Sequence, residues 1–218
     1  MSTRTCAMTI APSELILGGQ KSGKSRRAEL LARQWLTADP AHRAVLIATA
    51  QPWDDEMRSR IARHQADRAE RVPGMVTVEE PLQLAQAILQ HSRADTLVVV
   101  DCLTLWLTNC LMPMEAPSAE RLIGADALDS CWMEKNESNR ALAPVDIAQA
   151  APLLIAIAQA PGPVVLVGNE IGLGVIPLGR DVRAFVDALG KLNQDVAAVC
   201  QRVTLMAAGL PLTLKDMP

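Results

Sequence analysis

The 218-residue sequence has no tyrosine, one phenylalanine (Phe185) and four tryptophans, so aromatic residues make up only 2%. Proteins that bind single-stranded nucleic acid stack successive bases on aromatic faces, and this chain has too few rings for that. It also lacks a basic excess. Lys and Arg number 21 against 24 Asp and Glu, a net charge of -3, whereas a nucleic-acid binder carries a basic patch or a high pI. Its five cysteines (Cys6, Cys102, Cys110, Cys131, Cys200) form no CxxC pair and no Cys/His cluster with zinc spacing. They read as free thiols of a reducing compartment, not as a disulfide framework. No apolar run reaches the roughly 18 residues that a membrane span needs. The N-terminal MSTRTCAMTIAP has no sustained apolar stretch of the signal-peptide kind. These absences predict a cytoplasmic protein with no membrane span and no nucleic-acid partner.

What is present predicts an α/β fold. Half the residues are hydrophobic, enough for the core of one domain without staples. Short apolar runs recur at Glu14–Leu17, Ala44–Thr49, Thr96–Asp101, Pro163–Gly168 and Val203–Met206, with Leu212–Leu214 as a terminal edge strand. They are continuous, not alternating, as suits parallel strands covered on both faces. Helical periodicity separates them: Ser25 to Trp35, Asp54 to about Arg68, Leu82–Leu89, Ile147–Ala158 and Asp181–Val199. Strand and helix in alternation predict right-handed βαβ units and a doubly wound, mostly parallel sheet. Residues 1–13 read as an extension, 14–218 as the domain, and 112–145, with its prolines and mixed charges, as a helical excursion or a lid.

The first strand leads straight into Gly18-Gly19-Gln20-Lys21-Ser22-Gly23-Lys24-Ser25. This matches the G-x-x-x-x-G-K-[ST] phosphate loop in its required place between a strand and a helix. Glycines let the backbone curl so that successive N–H groups point at one phosphate. The helix that begins near Lys24 adds the positive end of its dipole. Lys24 reaches the β and γ phosphates in such a loop, and the Ser25 hydroxyl serves Mg²⁺. Asp101, ending a neighbouring strand, stands where such proteins place a second magnesium-side group, or else caps the segment that follows.

Glu56, Arg60, His64 and Arg68 recur every four residues, in one line on a helix. Arginines one turn before and after His64 disfavour imidazolium and can hold phosphate oxygens. A neutral histidine so placed can attack phosphorus and form a covalent intermediate. A solvated charged helix face that happens to include a histidine gives the same pattern. Asn169-Glu170 after a strand end suits a polar site or a structural loop equally.

GGQKSGKS, ATAQPWDDEMRSRIARH, TVEEP at 77–81, VDCLTLWLTN at 100–109, NEIGLGVIP at 169–177, GKLNQ at 190–194 and AAGLPLTLK at 207–215 follow one another in an order that resembles the bifunctional adenosylcobinamide kinase / adenosylcobinamide-phosphate guanylyltransferase family of vitamin B12 synthesis. The likeness covers about residues 14–111 and 160–215. It implies a P-loop nucleoside triphosphate hydrolase type of fold and two activities. ATP or GTP phosphorylates adenosylcobinamide; GTP then guanylylates an enzyme histidine, and GMP moves on to adenosylcobinamide phosphate.

By position His64 matches the guanylylated histidine. Gly18 and the run Gly19, Gln20, Lys21, Ser22, Gly23, Lys24, Ser25 and Arg26 match the phosphate loop. Thr49, Ala50 and Gln51, then Gln65, Ala66, Asp67 and Arg68, with Glu79 and Asp101, match the nucleotide contacts. With few rings to stack on, guanine is expected to be held by backbone and polar groups, Trp53 being the aromatic nearest the site in sequence. The resemblance further implies Mg²⁺ with GTP or ATP, and a homo-oligomer, a trimer with its active site near a subunit boundary. One departure is Pro177-Leu178-Gly179-Arg180, where the family carries a Pro-Glu-Asn-like step. Another P-loop kinase of a small metabolite, or a nucleotide-switched interaction protein, would share the phosphate loop but needs no nucleophilic histidine.

Overall fold

The computed structural model describes residues 10–52, 54–112 and 147–217. Most of the 112–145 segment and Trp53 lie outside them. Strand β1 (Ser13–Gly18) is followed by helix α1 (Lys24–Ala38), β2 (Arg43–Ala48), α2 (Asp55–Arg71), β3 (Met75–Glu79), α3 (Leu84–His91), β4 (Thr96–Asp101), α4 (Leu103–Leu111), α5 (Ile147–Gln159), β5 (Val164–Val167), α6 (Arg180–Val199), β6 (Arg202–Ala207) and β7 (Leu210–Asp216). The strands form a seven-stranded sheet in the order β3-β2-β4-β5-β1-β6-β7. All neighbours are parallel except the β6–β7 pair.

Period-two alternation splits the strand side chains between two cores. On one face Leu15, Leu17, Val98, Val100, Val164 and Leu166 pack against Leu84 and Ile88 of α3, Trp106 of α4, Leu153 of α5 and Leu192 and Val196 of α6. On the other, Ile16, Leu46, Leu97, Val99, Val165 and Val167 pack against Ala28, Leu31 and Ala32 of α1. Burial on both faces is why the central strands β1, β4 and β5 are largely apolar. The result is a doubly wound, mostly parallel α/β sheet with helices packed on both faces.

Three expectations shift. Strand β1 begins at Ser13, and Ala11 is buried just ahead of it, so the packed body starts before residue 14. Strand β3 is a fourth early strand that no apolar run announces: it is an edge strand with Val76, Thr77 and Glu79 exposed. Helix α4 occupies residues after Asp101 to which the sequence reading assigns no helix. Among the described residues no helix is long and apolar enough to cross a membrane.

Candidate functional site

The site is built at the carboxyl edge of the sheet, where ligands of open α/β sheets bind. Register places Glu79, Ala48, Asp101 and Val167 in one rank across β3, β2, β4 and β5, and Val167 pairs with Ile16 of β1. Gly18 leaves β1 just above that rank and opens the loop.

The loop owes its shape to residues able to hold unusual backbone angles. Lys21 sits at φ 56° and Gly23 at φ 103°, left-handed values that favour glycine. Gly18 is at φ 151°, and a side chain there would lie 2.5 Å from the Met206 carbonyl oxygen and 2.6 Å from Ser22 Oγ. The Gly209 N–H donates to the Ser22 carbonyl at 3.0 Å and the Glu170 N–H to the Gly18 carbonyl at 3.1 Å. Thus the segment after β5 and the β6–β7 turn brace the loop from either side. Gly23 precedes α1 and brings no capping side chain, which leaves the first-turn N–H groups for an anion.

Lys24 is buried, and its Nζ donates to the Gly19 carbonyl at 2.6 Å. Burial pushes its ammonium below the ordinary lysine value, against the pull of nearby Cys102 and Asp101. Helix α1 is fixed from beneath by a carboxylate hidden in β1. Glu14 accepts from Arg27 Nε at 2.9 Å and from Thr204 Oγ1 at 2.8 Å. A charge is expensive to bury unless paired, and here the pair ties α1 to β1 and β6. A lone acid in SELILG was the only sequence signal of it.

Thr49 is a strut. Its hydroxyl donates to the Cys102 carbonyl at 2.7 Å and accepts from the Cys102 N–H at 2.9 Å. Its own N–H donates to the Asp101 carbonyl and its carbonyl accepts from Asn109 Nδ2. With these groups engaged inside the protein, Thr49 positions Ala50 and Gln51 and fixes Asp101. The Asp101–Cys102 peptide is cis. Burial and the Asp101 charge push the Cys102 thiol up to about 11, so it is an inert packing group, as is Cys200, raised by burial to about 12.

The histidine stripe does lie on one helix, with Asp54 accepting from the Met57 N–H as its N-cap. The stripe is not uniformly exposed, however. Glu56 is exposed, Arg60 and His64 are half-buried, and Arg68 is only 8% exposed. Arg68 turns inward to donate to Thr77 Oγ1 of β3 at 3.3 Å, and its buried Nε has no hydrogen-bond partner. Arg71 binds Glu29 of α1 and Asp67 of its own helix. Helix α2 is therefore clamped at its C-terminal end. No hydrogen bond or ion pair among the described residues ties His64 to the phosphate loop. Gln65 and Ala66 are exposed beside it. Of the other histidines, His42 stacks on Trp35 at 3.7 Å and is a packing residue.

A family model described as "Cobinamide kinase / cobinamide phosphate guanyltransferase" matches residues 14–214. The chain belongs to this family. It is 42% identical over 205 residues to the bifunctional adenosylcobalamin biosynthesis protein CobP of Pseudomonas aeruginosa, covering 94% of this chain and 98% of that one. It is 32% identical to the bifunctional adenosylcobalamin biosynthesis protein CobU of Escherichia coli, over 92% of this chain and 98% of the other. Among solved structures, the flagellar accessory protein FlaH from Methanocaldococcus jannaschii aligns with a TM-score of 0.47 at 10% identity, over 95% of this chain and 80% of that one.

Proposed function

We propose that this member of the family carries out both of the family's reactions, phosphorylation of adenosylcobinamide and guanylylation of adenosylcobinamide phosphate, with one nucleotide site and a covalent histidine. The observation that carries this reading is the family match along nearly the whole chain, which includes the phosphate loop and the helix of His64 alike.

In the kinase step Lys24 and the loop N–H groups at Gly19 to Ser25 hold the β and γ phosphates. In the second step a His64 ring nitrogen attacks the α phosphorus of GTP. An N–P bond forms, the bond from that phosphorus to the bridging oxygen breaks, and pyrophosphate leaves. A phosphate oxygen of adenosylcobinamide phosphate then attacks the same phosphorus, the N–P bond breaks, and adenosylcobinamide-GDP departs with His64 restored. Splitting one displacement into two is the usual gain of covalent catalysis. Arg60 and Arg68 flank His64 on its helix, and the unpartnered Nε of Arg68 is a donor in search of an acceptor oxygen.

The residues fit Mg²⁺. Ser25, next after Lys24 in the first turn of α1, and Asp101, within electrostatic reach of Lys24, are half-buried oxygen ligands, and the described residues hold no cluster of three or more His, Cys, Asp or Glu that would make an all-protein cage. Magnesium characteristically takes one or two protein oxygens and completes its shell with phosphates and water. It would supply charge neutralisation on the triphosphate. The same reading puts the enzyme in the cytoplasm, in keeping with the free thiols of Cys102, Cys110 and Cys200.

GTP labelled on its α phosphorus is expected to leave label on the protein in an acid-labile, base-stable bond, and His64→Ala to abolish it. Label that survives the substitution refutes the role of His64. Label arising only from the γ position points to a phosphoenzyme and to a different kinase.

A further inference from the structure

The kinase step needs a group that none of the phosphate-loop residues supplies. The acceptor hydroxyl loses a proton as it attacks, and Lys21, Lys24 and Arg26 are donors, not acceptors. Besides Glu80, which follows β3 and whose Oε1 already accepts from the Leu82 and Gln83 N–H groups, three carboxylates stand at the carboxyl edge of the sheet. Glu79 lies on the β3 edge, with β2, β4 and β5 between it and β1. Asp101 is within electrostatic reach of Lys24, on the side assigned above to the metal. The third is Glu170, which extends the chain beyond β5 and whose N–H is bonded to the carbonyl of Gly18, the first loop residue.

Glu170 is half-buried and held in place. Its Oε1 accepts from the Gly172 N–H at 2.8 Å, and its Oε2 lies 3.5 Å from Asn193 Nδ2 of α6. Asn193 is only 4% exposed, donates to the Asn169 carbonyl at 3.1 Å, and carries an Oδ1 that has no partner. A buried amide with one unsatisfied end is costly. Here it fixes a two-residue polar turn beside the phosphate loop. The carboxylate keeps lone pairs beyond those used by its two donors.

On the kinase reading of the previous subsection, we propose that Glu170 is the base of the phosphoryl-transfer step and that Asn193 positions it. The acceptor oxygen forms its bond to the γ phosphorus as the bond from that phosphorus to the β–γ bridging oxygen breaks. The nucleoside diphosphate leaves, the hydroxyl proton passes to the Glu170 carboxylate, and from there it returns to water.

Glu170→Gln separates this role from simple closure of the turn. The amide keeps an oxygen to accept from Gly172 but takes up no proton. The expected result is a fall in kcat for adenosylcobinamide phosphorylation of about 10²- to 10⁴-fold, with the nucleotide KM within about threefold of wild type and an unchanged Tm. Asn193→Ala, which leaves the carboxylate but frees it, is expected to lower kcat about tenfold. A kcat within threefold of wild type for Glu170→Gln, or a change in KM alone, overturns the assignment. If Glu170→Gln melts early, Asn193→Ala decides, and an unchanged kcat there overturns it too. A wild-type enzyme with no phosphorylation activity refutes the kinase reading itself, an outcome distinct from failure of the Glu170 assignment.

Discussion

A phosphate loop is demanding of single residues, and Gly18 shows how much. The space a Cβ would need is filled by a backbone oxygen of β6 and by a buried hydroxyl of the loop itself. Gly18→Ala therefore has to move backbone as well as adopt an unfavourable φ. The expected cost is on the order of 1–3 kcal/mol, read as a drop in Tm of roughly 2–12 °C for a chain of this length, with weakened nucleotide binding. An alanine variant with wild-type melting and affinity would show that the loop is looser than drawn. The sequence made this residue legible, because its motif and its place after a strand are local. Thr49 was legible only as a position. Its partner Cys102 lies just past the end of the neighbouring strand β4, and nothing in the spacing of residues reports a bond over that sequence distance.

Helix α2 differs from its neighbours as an element. The other described helices bury apolar faces in the two cores, whereas the only buried residue of α2 is an arginine. Its attachments are Arg68 to Thr77 and Arg71 to Glu29, both in its last turn. Local opening has its lowest cost where few apolar contacts resist it. Amides near Glu56 to Arg60 are thus expected to exchange hydrogen well before those of α1, and bound GTP to slow them. Equal protection along α2 and α1 without nucleotide would contradict this. The four-residue stripe exposed the helix and its histidine in the sequence. The inward turn of Arg68 was hidden, because a charged residue at helical spacing reads as solvent-facing until the strand it reaches is known. That strand, β3, was itself missed: its Met75–Glu79 run mixes polar and apolar residues as an edge strand does. Helix α4 was missed because its apolar residues follow β4 almost without a break.

At the scale of the whole molecule, the doubly wound plan was readable because six apolar runs and intervening helical periods suffice for it. The order of strands was not, since it depends on pairing between distant segments. The surface adds one feature the composition concealed. Between β5 and α6, Leu173, Val175, Ile176 and Leu178 are all exposed, Val175 at 96% and Leu178 at 97%, and β7 exposes Leu210, Leu212 and Leu214. Exposed apolar side chains concentrated in this way mark interaction sites. We take it to support the homo-oligomer that the family resemblance implies. Light scattering is expected to give a mass near three chains, and Leu178→Lys with Val175→Lys to lower it. A monomeric wild type would discard the trimer.

The strand order also says when this enzyme becomes able to bind anything. Strand β1 is made first, yet it sits between β5 and β6, whose pairing segments begin at Val164 and Arg202. Contacts so distant in sequence close late and slow folding. On the ribosome, the phosphate loop therefore waits as an unpaired apolar strand until most of the chain has emerged. Its brace at Gly209 comes later still. A nascent or C-terminally truncated chain carries the complete nucleotide-binding motif and no nucleotide-binding site.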